Sequence, residues 1–170
     1  MKQIKQVPLY YYLILLAATA IALGVQWDIS WHSTIGRDKL LSPPHIVVYL
    51  GGILCGLTCS YVVFQQTFFK PSNVGVKFWG FKAPLACWIC IWGMIAMLTS
   101  APFDDWWHNA YGLDVQIISP PHIVLAMGIF AVILGACILI LTTKNRSPDN
   151  TMYDILYIYS ASLILVQFSI

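Results

Sequence analysis

Charge is what this chain has least of. Only 9% of its 170 residues are Asp, Glu, Lys or Arg, while 59% are apolar, and the mean hydropathy is +0.74. A soluble domain carries about 25% charged residues, so an ordinary water-facing surface is excluded and the chain belongs in a bilayer. Nor is there charge of one sign to speak of. A net +2, scattered along the sequence, excludes the basic stripe that nucleic acid requires and the field that would attract a strongly acidic partner.

Apolar stretches long enough to cross a hydrocarbon core, which takes ~20 helical residues, fall at about 8–26, 45–68, 83–101, 121–142 and 152–170. The expected fold is an all-α integral membrane protein of about five transmembrane helices, one membrane domain over 1–170. Lys2 and Lys5 precede the first span, Lys70, Lys77 and Lys82 lie between the second and third, and Lys144 and Arg146 lie between the fourth and fifth. This bias puts the N-terminus and those two connections in the cytoplasm of a bacterial or archaeal cell, by the positive-inside rule. The segments after spans one and three then face the periplasm or exterior. Lys2, Lys5, the following apolar run and Ala18-Thr19-Ala20 resemble a cleavable signal. Retention is expected instead, because the counterpart of this run, around Ala83 to Ala101, is internal.

What little polarity exists is concentrated in two places. Asp28, Trp31, His32, Gly36, Asp38, Ser42, Pro43, Pro44, His45, Ile46 and Val47 recur in the same order as Asp104, Trp107, His108, Gly112, Asp114, Ser119, Pro120, Pro121, His122, Ile123 and Val124. The copies keep step through Asp38/Asp114 and slip by one residue before Ser-Pro-Pro-His. Together these segments contain all four histidines and five of the seven acidic residues. They define a parallel internal repeat, helix–metal motif–helix, over about 8–68 and 83–142, followed by a terminal helix at about 152–170.

Asp28 and His32, like Asp104 and His108, are four residues apart, so each pair shares a face if spans one and three continue as helix past their apolar cores. Gly36 and Gly112 suit a break. Serine then suits the cap of the next helix, proline its first turn, and His45 or His122 falls in that turn. Each copy thereby converges one carboxylate and two imidazoles, a set that leaves coordination positions open and fits copper, zinc, iron or nickel. Asp38 and Asp114 are candidates to accept the outward N–H of a ligating histidine. They read equally well as solvated charges, Asp38 with Arg37 beside it. Trp31 and Trp107 stand next to the first histidines and are candidates to support them, although an aromatic belt at the membrane surface accounts for Trp27, Trp31, Trp106 and Trp107 without chemistry.

The run from Asp28-Ile29-Ser30-Trp31-His32 through Arg37-Asp38 to Ser42-Pro43-Pro44-His45 resembles the metal-site segment of the third subunit of the copper membrane monooxygenases, a family that oxidises methane, ammonia or short alkanes. In that family one site uses Asp, His and His at this spacing. A neighbouring site uses Asn, His and His with one extra residue before the last histidine, and Asp104, His108 and His122 show that extra residue. The chain departs from the family in having Asp104 where asparagine is usual, and Ser-Pro-Pro-His where Thr-Pro-x-His is usual. The resemblance spans roughly residues 10–142. It implies copper, with iron and zinc as alternatives, at Asp28/His32/His45 and Asp104/His108/His122, with the first set as the catalytic one. It also implies the family's two other subunits as partners, one of them bearing cupredoxin-like domains, in a trimer of protomers, and electrons from a donor such as quinol. Two other functions are compatible with the same residues: non-catalytic copper binding for acquisition, storage or assembly, and a bis-histidine haem cytochrome, which leaves the aspartates unexplained.

Five cysteines, at 55, 59, 87, 90 and 137, fall within expected spans. Cys87-x-x-Cys90 lies far from the motifs and lacks the βαβ context of a redox pair, so packing between helices is expected of it. Gly51, Gly52, Gly56 and Gly128 are expected at close helix contacts. Tyr10, Tyr11 and Tyr12 are expected to form an interfacial cluster.

Overall fold

The computed structural model describes residues 6–35, 40–70, 75–112 and 119–168. The described residues form five helices: α1 (Leu9–Thr34), α2 (Pro43–Phe68), α3 (Leu85–Tyr111), α4 (Pro120–Arg146) and α5 (Thr151–Phe168). All five are long and apolar enough to cross a membrane. They carry apolar residues on every side, as helices facing lipid outside and protein inside must. Leu16, Leu23, Leu50, Leu57, Met127 and Leu165 point outward, whereas Ile14, Ile21, Met97, Val132, Ile133 and Ile140 form the core.

Helices α1 to α4 have 26 or 27 residues. At 1.5 Å per residue each is ~40 Å long, against a hydrocarbon core of ~30 Å. Several residues of each must therefore project beyond the apolar slab. Helices α1 and α3 run well past the ends expected from hydropathy, and the additional turns carry Asp28, His32, Asp104 and His108.

α1 packs most closely on α2, and α3 on α4; α2 with α3 and α4 with α5 then join the pairs into one bundle. Lipid offers no hydrophobic force to press apolar helices together, so backbones must approach closely enough for dispersion to act. An added Cβ on Gly51 would lie 2.9 Å from the Ala17 carbonyl oxygen and 2.7 Å from Ile21; one on Gly128 would lie 2.8 Å from the Gly93 carbonyl oxygen and 2.8 Å from Met97. These two crossings use corresponding positions. Ala17 and Gly93 are 76 residues apart, as are Asp28 and Asp104, while Gly51 and Gly128 are 77 apart, as are His45 and His122. Gly52 and Gly56 admit the side chains of Met97 and Met94.

Between α2 and α3 stands an antiparallel hairpin, β1 (Val76–Phe78) and β2 (Phe81–Ala83), with Lys77 opposite Lys82. Its two-residue turn, Trp79-Gly80, has φ of 47° and 87°. Positive φ at both positions matches the right-handed twist of paired strands. This hairpin is not announced by the sequence, which has only a short alternation there. The Lys82 amide donates to Thr67 Oγ1 (2.9 Å) and the Trp88 indole to the Val76 carbonyl (3.3 Å), which fixes the hairpin over the adjoining ends of α2 and α3. Lys70, Lys77, Lys82, Lys144 and Arg146 thus gather at one end of the bundle, and both duplicated motifs lie at the other.

Tyr11 differs from its expected interfacial placement. It is 4% exposed, its hydroxyl is 2.6 Å from Thr143 Oγ1 on α4, and its ring meets Tyr153 of α5 edge-on. A buried phenol needs a polar partner, and Thr143 supplies one, so this tyrosine ties α1 to the last two helices.

Gly128→Ala is expected to lower the Tm of the detergent-solubilised protein by the equivalent of ~1–3 kcal/mol of overpacking, and Gly93→Ala similarly. Leu50→Ala, at an outward position, is expected to leave Tm nearly unchanged. Equal Tm values for Gly128→Ala and the parent would show that this crossing does not set the helix spacing.

Candidate metal centres

The last two turns of α1 and the first turn of α2 build the first cluster. Asp28 and His32 are on one face of α1, and the helix closes with the Ile35 amide bonded to the Trp31 carbonyl (2.8 Å). Ser42 occupies the N-cap of α2 in extended conformation, followed by Pro43 and Pro44 at the first helical positions. Proline there costs nothing, since the first amides of a helix have no internal acceptor. Ser42 contributes its carbonyl to Ile46 (3.0 Å), but its hydroxyl does not make the expected capping bond. Ser119 behaves alike, with its carbonyl 2.9 Å from the Ile123 amide. Pro44 and Pro121, at the second helical position, remove one of the two amides that a serine hydroxyl would cap.

This brings together all three predicted ligands of each copy. In the first, Asp28 Oδ1 is 3.2 Å from His45 Nε2 and Asp28 Oδ2 is 3.8 Å from His32 Nε2. In the second, Asp104 Oδ1 and Oδ2 are each 3.4 Å from the Nε2 atoms of His122 and His108. Within each cluster one ligand atom per residue lies within 4.8 Å of the others. The carboxylate is the hub, and both imidazoles present the same nitrogen to it. A geometry of this kind serves either a metal ion shared among three donors or an aspartate flanked by protonated histidines.

Two features favour an ion. Asp28 Oδ1 and Asp104 Oδ1 are buried yet accept no hydrogen bond from a described residue, although a histidine nitrogen stands close to each. The nitrogens thus approach off the hydrogen-bond direction, as donors converging on a third point do. In addition, one carboxylate and two imidazoles are a donor set that suits a small cation and leaves coordination positions open.

The clusters differ in accessibility. His32 is the open ligand of the first, with its side chain 49% exposed, and His45 the covered one at 17%. In the second the order reverses, with His122 at 40% and His108 at 22%. Tyr49, one turn beyond His45, sets its ring 5.9 Å from that imidazole. Sequence comparison of the copies passes over it, because Ala126 is its counterpart; its spacing of four from His45 is the one signal of it in the sequence.

Gly112 ends α3 with φ 95°, a conformation that favours glycine. Gly36, Asp38 and Asp114 lie outside the described residues. Trp31 and Trp107 pack against aromatic neighbours, Trp31 on Trp27 at 6.3 Å and Trp107 on Tyr111 at 4.4 Å. Trp27 and Trp106 are the more exposed pair, as a surface belt requires. Asp105 turns aside, 3.4 Å from the Asn109 amide nitrogen.

No known protein family, characterised protein or solved structure matches this chain.

Because each aspartate serves its own pair of histidines, the clusters should load independently. Asp104→Ala is expected to lower the metal bound by the purified protein by about one ion per chain, a loss greater than the ~10–100-fold affinity cost of removing an outer hydrogen-bond partner. Elemental analysis after dialysis reads this. Loss of both ions from the single variant would show instead that the clusters act as one.

Proposed function

We propose that this chain is a metal-bearing membrane protein whose two Asp/His/His clusters hold copper, and that it serves as one subunit of a copper-dependent membrane monooxygenase acting on a small substrate such as ammonia, methane or a short alkane. The observation that carries the metal reading is the convergence of both imidazole Nε2 atoms of each cluster on a single carboxylate. The oxidative role is supported by the resemblance of the first motif to the metal-site segment of that family's third subunit and by a ligand set that leaves positions open. Copper there would supply the reduction of O2 and the transfer of one oxygen atom to a C–H or N–H bond, the other leaving as water with two electrons and two protons from a donor such as quinol.

The chain's own residues have simpler tasks. Asp28 offsets the charge of the ion and fixes its distance from α1. His45, covered by Tyr49, anchors it to α2, and His32 remains on the open side where an incoming molecule would arrive. Placement of the clusters at the end of the bundle opposite the lysines supports a periplasmic or external site under the positive-inside rule. The two other subunits of such a complex, the cupredoxin-bearing one among them, would complete it, because the described residues form a membrane bundle alone and electrons must reach it from a partner or a quinol.

The second reading is copper acquisition or storage. Exposure of His32 and His122 favours it, since a ligand open to water lets an ion pass to and from a carrier.

The deciding experiment uses the complex purified from native membranes. Copper is expected to co-purify with the chain, and His32→Ala and His45→Ala should each remove about one copper ion per chain and lower O2-dependent oxidation of ammonia, methane or butane by at least ~10-fold. Metal loss with turnover intact would sink the monooxygenase reading for the first cluster and leave the storage reading standing.

A further inference from the structure

Three of the five cysteines meet inside the bundle, and a fourth lies one turn away. Cys55 and Cys59 are one turn apart on α2, Cys87 and Cys90 one turn apart on α3, and all four are fully buried. The Sγ atoms of Cys55, Cys59 and Cys90 lie within 4.8 Å of one another. All are free thiols. Cys90 also reaches the Val132 carbonyl of α4 at 3.6 Å, and a Cβ on Gly135 would fall 2.6 Å from its sulfur, so the absence of a side chain on α4 admits this thiol.

Cysteine packs well between membrane helices, and that accounts for any one of these residues. It does not account for their convergence. At the offsets that relate the two motifs, Cys55 and Cys59 correspond to Val132 and Ala136, and Cys87 and Cys90 to Tyr11 and Ile14. The repeat thus has no sulfur at these positions in its other copies, and the cluster is confined to the one seam where α2 meets α3. Cys137 stands outside it.

We propose that Cys55, Cys59 and Cys90, with Cys87 beside them, form an all-sulfur site for monovalent copper within the membrane-spanning part of the bundle. Two sulfurs each ~2.3 Å from one ion are at most ~4.6 Å apart, and the three sulfurs here lie within 4.8 Å of one another. Thiolate donors without oxygen or nitrogen select a soft ion. Structural zinc also wants a tetrahedral shell, and only three of the sulfurs meet. Binding exchanges protons for metal without electron transfer: one copper(I) enters, two S–H bonds break, and two protons leave. Ten and fourteen residues of α2 separate His45 from Cys55 and Cys59, ~15 and ~21 Å along the helix, so this site is distinct from the Asp/His/His clusters and does not rest on their assignment.

The test uses the full chain, reduced and oxygen-free in detergent, with His32→Ala and His108→Ala silencing the other clusters. Titration with copper(I) against bicinchoninate is expected to show uptake of about one ion, with thiolate-to-copper absorption in the ultraviolet and a sulfur shell by X-ray absorption. Adding Cys55→Ser and Cys90→Ser should abolish that uptake, while Cys137→Ser should not. Unchanged uptake in the doubly serine-substituted chain would overturn the proposal. If that variant does not fold, the X-ray absorption of the cysteine-intact protein decides: a sulfur shell upholds the site, and a shell of nitrogen and oxygen alone overturns it. Zinc displacing copper(I) from the sulfur shell would overturn the choice of ion.

Discussion

Close approach of helix backbones governs this molecule. In lipid, leucine gains nothing by turning from a neighbouring acyl chain to a neighbouring helix, and most of these helices are apolar all round. Contact is won where side chains are smallest, at Gly51 on Ala17 and at Gly128 on Gly93. Those two crossings fix the spacing of each helix pair, and beyond them a carboxylate on one helix meets an imidazole on the next. The sulfur cluster follows the same rule, with Gly135 making room for Cys90.

The two kinds of site answer opposite demands. At the bundle end, water and lipid headgroups screen charge, so an aspartate is tolerable and a ligand can remain open. Inside the slab a carboxylate would be expensive, and donors that are neutral until a metal arrives are the ones present. Hard and soft ligands are thereby sorted by depth along α2: imidazole at its first turn, thiols near its middle.

Much of this is legible in the sequence. The five spans are visible in hydropathy, the Asp/His/His trios in the duplicated motif, and the glycine contacts in the small residues of the spans. Helix ends are less so. Hydropathy drops at Asp28 and Asp104, but a helix outside the hydrocarbon continues as long as its own backbone bonds are made, and α1 and α3 do so through His32 and His108. The β-hairpin depends on positive φ at Trp79, which no propensity would suggest. Cys87 and Cys90 read as packing residues because spacing reveals partners on one helix only. Their proximity to Cys55 and Cys59 is set by the rotation of α3 against α2, and Met94 and Met97 seated over Gly56 and Gly52 determine that rotation. Tyr11 escapes sequence reading for a related reason: its neighbours along the chain suit an interface, while Thr143 and Tyr153 reach it from helices far away in sequence.

The Gly51–Ala17 crossing also makes each helical hairpin a lever. Asp28 lies eleven residues from the crossing on one arm, ~16 Å, and His45 six residues from it on the other, ~9 Å. A change of ~10° in crossing angle would shift Asp28 by roughly 3 Å, far beyond the ~0.2 Å within which metal–ligand bonds hold their length. Helices retilt when bilayer thickness changes. An ion held between the two arms, as proposed above, would oppose that retilting, so that the stiffness of the bundle and the occupancy of its sites would become one mechanical quantity.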